Sequence, residues 1–74
     1  MFEKMKLKKQ IEDLEEQIQN IEKKRSRSQA ALVEAILTRV DPDDEDVDFF
    51  NKYTAEINEL RDEMKVLQGR LETL

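Results

Sequence analysis

The sequence predicts an all-α protein, an antiparallel two-helix hairpin with a coiled-coil seam, and three observations lead there. Apolar residues recur at alternating spacings of three and four along two separate runs, which is the seam of a heptad repeat. Between the runs stands VDPDDEDVD, where Pro42 disfavours a helical conformation at Asp41 and lacks the N–H an interior helical position needs. The chain of 74 residues contains neither cysteine nor histidine, so disulfides and the ordinary transition-metal ligands are not there to support a small core. Self-association remains, and the expected assembly is a homodimer in which two hairpins form a four-helix bundle.

The first helix is expected over about residues 3–40. No Gly or Pro interrupts Lys4 to Arg39, and Leu7, Ile11, Leu14, Ile18 and Ile21 keep the alternating spacing. Heptad a positions then fall at Lys4, Ile11, Ile18, Arg25, Leu32 and Arg39, with Leu7, Leu14, Ile21, Ser28 and Ala35 at d. An acidic turn is expected over about residues 41–46, its aspartates available to cap a helix and to complement the positive helix end. Pro42 would suit the first helical position after a cap at Asp41. The second helix is expected over about residues 47–73, where Phe50, Tyr53, Ile57, Leu60, Met64, Leu67, Leu71 and Leu74 obey the rule without a break. The whole chain, residues 1–74, reads as one helical-hairpin domain.

A short connection makes the helices antiparallel neighbours, and one register satisfies both seams. It pairs Ile11 with Leu74, Leu14 with Leu71, Ile18 with Leu67, Ile21 with Met64, Leu32 with Tyr53 and Ala35 with Phe50. The flanking positions give a check on it, because the same alignment sets Glu22 against Arg61 and Lys24 against Glu63 with no like-charge pair. It also sets Arg25 over Leu60 and Ser28 over Ile57. These two interrupt an otherwise apolar seam in the stretch NIEKKRSRSQA, and they read as a register-setting polar layer. The Arg25 stem would cover Leu60 while its guanidinium reaches Glu59, Asp62 or Glu63.

The hairpin does not use all of its apolar residues. In AALVEAILTRV the seam takes Leu32 and Ala35, yet Ala30, Val33, Ile36, Leu37 and Val40 spread round the helix, and Val47, Phe49 and Phe50 add to the same end. One neighbouring helix cannot bury them all, so these eight residues are the candidate oligomer or partner interface. At the other end Lys4 and Leu7 find no partner in the register, and Phe2, Met5 and Leu7 form an overhang.

Charge and chemistry narrow the function classes. The net charge is −5, but residues 1–39 hold nine basic and seven acidic side chains while residues 40–74 hold four and eleven, so the halves attract. KKRSRS contributes Lys23, Lys24, Arg25 and Arg27 as possible nucleic-acid contacts, although the pI is about 4.7 and no aromatic is interleaved to stack on bases. RSRSQAALVEAIL resembles the first helix of a ribbon-helix-helix protein, but the alternating strand that precedes such a helix is missing and IEDLEEQIQNIEKK is helical instead. DPDDEDVD departs from a calcium loop, with Asp46 at the glycine position and Lys52 at the position of the bidentate glutamate. With two serines, no histidine and no expected deep pocket, no catalytic group is assigned and no cofactor, metal or small-molecule substrate is expected. No stretch approaches the roughly 20 apolar residues that span a bilayer, and MFEKMKLKKQ lacks the apolar run of a signal peptide. The expectation is a cytoplasmic, non-enzymatic protein–protein interaction module: a self-associating adaptor, assembly factor or regulator whose partners are itself and another protein. The alternatives are a small nucleic-acid-binding accessory factor and, behind it, an acidic DNA mimic.

Overall fold

The computed structural model describes residues 2–74. Two helices account for nearly all of them, α1 over Phe2–Leu37 and α2 over Asp44–Glu72, packed against each other as a hairpin with no strand among the described residues. The molecule is a rod of 56 × 16 × 14 Å. Its length is set by α1, since 36 residues at 1.5 Å per residue span ~54 Å.

The seam follows the heptads. Ile11, Leu14, Ile18, Ser28 and Ile57 are buried, and Ile57 has no exposed surface at all. Leu7, Ile21, Arg25, Leu32 and Ala35 of α1, and Phe50, Tyr53, Leu60, Met64, Leu67 and Leu71 of α2, are half-buried, as in a two-helix seam open on both flanks. The predicted register is met at its charged check: the Arg61 Nη2 group donates to Glu22 Oε1 at 2.7 Å. The second flanking pair, Lys24 with Glu63, forms no ion pair; among the described residues the other ion pair is Lys9–Asp13 within α1, at 3.2 Å. The hydrogen bond that Lys9 donates to Asp13, and then the Asp13 charge, raise the Lys9 ammonium from its ordinary value.

Both helix ends at the turn differ from the sequence expectation. α1 stops at Leu37 rather than at residue 40, because Arg39 adopts a left-handed φ of 58°. The Arg39 N–H then donates to the Ile36 carbonyl at 3.2 Å and the Val40 N–H to the Ala35 carbonyl at 2.9 Å. This is a Schellman motif, closed without the usual glycine. Thr38 adds its hydroxyl to the Glu34 carbonyl at 2.9 Å. α2 begins at Asp44 rather than at residue 47, with Asp43 as its N-cap, and Pro42 lies before the helix instead of opening it. The Asp43 side chain makes no capping hydrogen bond. What favours the start is charge, since Asp44, Glu45 and Asp46 fill the first turn beside the positive end of the helix dipole.

Candidate interaction surface

Val33, Ile36 and Leu37 recur at the three-and-four spacing of one helix face, Ala30 extends it backwards by one turn, and Val40 follows on the capping turn. At 100° per residue this second stripe lies roughly 120° round α1 from the seam. The hairpin leaves it open to solvent: Val33 is 46% exposed, Ile36 69%, Leu37 78% and Val40 62%. Small Ala30 is exposed as well. An apolar stripe on the outside of a helix is what a further helix would cover.

The α2 members of the predicted interface divide. Val47 and Phe49 sit at the margin of exposure, at 37% and 38%, while Phe50 is half-buried in the intramolecular seam and so contributes less to an outer surface than its neighbours. Heptad geometry sets Val47 on the flank of Ile36 and Phe49 on the opposite flank. There the Phe49 ring stacks on Tyr53, with centroids 5.9 Å apart and planes inclined by 11°. That contact escaped the heptad reading, although the i, i+4 spacing of two aromatics signals it.

Of the two polar seam residues, Ser28 is buried and Arg25 is half-buried. The acid expected on the Arg25 guanidinium is not there, as neither of the two ion pairs among the described residues involves it. The Thr54 hydroxyl, one helical turn before the Ile57 level, is buried without a hydrogen-bond partner. A buried hydroxyl without a partner costs stability.

The basic cluster does not form one face. Lys23, Lys24 and Arg27 are exposed and Arg25 turns towards the seam, so consecutive cations step round the helix by ~100° each. Lys23 and Arg27 bracket the outer side, on the same side of the rod as Ala30 and Val33. Beyond the stripe in the other direction comes the turn, where residues 41–48 carry six acids and no base. No group of three or more acids is close enough to hold a metal ion among the described residues.

Concavities on the rod are shallow. A groove of about 400 Å³ runs along the turn end between Ala31, Ala35, Val40 and Asp46. Another of about 380 Å³ lies at the opposite end between Leu7, Gln10, Arg70 and Leu74. Leu7 is therefore not wholly unpartnered, while Phe2 and Met5 on the overhang are 91% and 68% exposed. No helix of the described residues is long and apolar enough to cross a membrane.

The surface as a whole is large for the mass. An 8.8 kDa chain folded compactly would expose ~4,800 Å². This one exposes 6118 Å². The excess of roughly 1,300 Å² follows from the elongation of the rod. Comparison with protein-family models, curated proteins and solved structures finds no match for the chain.

Proposed function

We propose that the protein is a non-enzymatic, self-associating interaction module, acting in the cytoplasm as an adaptor, assembly factor or regulator for another protein. Two hairpins join across the outer stripe of α1 and form a four-helix bundle. The observation that carries this reading is the exposed run Val33, Ile36, Leu37 and Val40 on the face of α1 that its own partner helix does not cover. One further fact supports it. Among the described residues the buried hydrophobic core consists of Ile11, Leu14, Ile18 and Ile57, a small reserve for a domain of this length. Symmetry favours a two-fold dimer, the commonest closed assembly, in which each stripe meets its own copy.

The test is a paired substitution on the stripe. Val33→Glu with Leu37→Glu leaves the seam untouched, so a wild-type dimer and a variant monomer that keeps most of its helical circular dichroism are expected. A variant that sediments at the wild-type dimer mass would place the interface elsewhere on the hairpin. A wild-type chain that stays monomeric at micromolar concentration would remove the proposal.

A further inference from the structure

The geometry points to one relative orientation of the two copies: antiparallel, with the acidic turn of each hairpin lying on the Lys23 and Arg27 side chains of the other. This rests on the dimer reading of the outer stripe and adds its direction and its electrostatics.

A two-fold axis perpendicular to a helix pairs residues symmetrically about one level of that helix. Centring the axis on the stripe sets Ala30 against Val40 of the second copy and Val33 against Leu37, and each of these contacts occurs twice. Small Ala30 then faces Val40 at each end of the stripe, while Ile36 lies beside the axis, where the two helices come closest. The four outer positions of the stripe therefore match themselves in reverse.

The same alignment determines what lies beyond it. Arg27 is one helical turn before Ala30 and Lys23 two turns before it, both exposed. Asp41 and Asp43 follow directly after Val40, both exposed. Reversal about the stripe brings Arg27 to the level of the second copy's Asp43, at the tip of its turn, with Lys23 one helical turn further along. Neither Lys23 nor Arg27 has an ion-pair partner within its own chain among the described residues, and the same holds for Asp41 and Asp43. These four side chains are free to pair across the interface.

The parallel alternative fails on charge. It sets the two turns side by side, and residues 41–48 carry six acids and no base in each copy. Carboxylates of the two turns within roughly one Debye length of ~8 Å repel, whereas the antiparallel arrangement separates the turns and offers each one cations. Like-charge contact of that kind is a means by which an interface excludes a wrong geometry.

A mixing experiment tests the orientation. Arg27→Glu alone makes a homodimer in which a carboxylate replaces the guanidinium and faces acids at both clamps, and Asp41→Lys alone brings an ammonium towards Arg27 at both. In a heterodimer of the two, one clamp is native and the other is reversed but complementary. Native mass spectrometry of an equimolar mixture at low ionic strength should show the heterodimer enriched roughly tenfold over statistical pairing, with the enrichment fading at high salt. Should Arg27→Glu lose helicity, Lys23→Glu takes its place in the mixture. Statistical mixing of folded variants, with wild type still dimeric, would overturn the orientation and leave the dimer standing. A monomeric wild type would overturn both.

Discussion

Replacing Arg39 by glycine should stabilise the protein. Arg39 holds a φ of 58° at the end of α1, a conformation in which the Cβ of an L-residue crowds the following carbonyl at a cost of about 1–2 kcal/mol. Glycine removes that crowding and loses about 0.4–1 kcal/mol through its greater freedom in the unfolded chain. The arginine side chain adds little to the other side of the balance, being exposed and outside both ion pairs of the described residues. The net gain is about 0.5–1 kcal/mol, which for a chain of this size raises Tm by roughly 2–8 °C. Thermal denaturation followed by circular dichroism at one fixed protein concentration measures it, since association makes Tm concentration-dependent. Arg39→Ala is the control: it removes the charge but keeps the Cβ, so it should leave Tm nearly unchanged. If Arg39→Gly lowered Tm, or if alanine gave the same gain as glycine, the capping argument would be wrong and the arginine head group would be what matters.

Three other substitutions probe the seam and its surroundings. Arg25→Leu should raise stability by about 1 kcal/mol, as a half-buried leucine over Leu60 replaces a cation without an acid partner, and should loosen the oligomeric state as the polar layer goes; a fall in urea midpoint would mean that Arg25 holds a contact of its own. Ile57→Ala should cost about 2–3 kcal/mol, the low end for such truncations, because the open flanks let neighbours relax into the space. Loss of less than about 1 kcal/mol in equilibrium denaturation would contradict the burial of that side chain. Gly69→Ala should gain about 1 kcal/mol from helix propensity, since an added Cβ would meet nothing within 4 Å; a destabilised variant would point to a packing role for that position.

The hairpin and its register were legible because both rest on periodicity and on charge at the flanks, and the 2.7 Å Glu22–Arg61 contact falls where the alignment put it. The helix ends were not. A Schellman closure depends on one residue adopting positive φ, and with arginine in place of glycine at that position nothing in the sequence marks it. Likewise DPDDED offers several chemically equivalent caps, and nothing in the sequence chooses Asp43 among them. Phe50 served two readings at once, as a seam residue and as part of the outer surface; periodicity identifies it as seam, and its half-buried position agrees. For the interface the sequence showed an excess of apolar residues, and the structure sorts them by face. Five of them, Ala30, Val33, Ile36, Leu37 and Val40, line the outside of α1 and its capping turn, while Phe49 turns to the other flank and stacks on Tyr53.

If a second copy of the chain covers the outer stripe of α1, the assembly is visible by mass. Sedimentation equilibrium at micromolar concentration and moderate salt decides between one chain and two. A covered stripe predicts a single species at twice the chain mass of 8.8 kDa, dissociating on dilution. A well-folded species at the mass of one chain, unchanged across that concentration range, would contradict it.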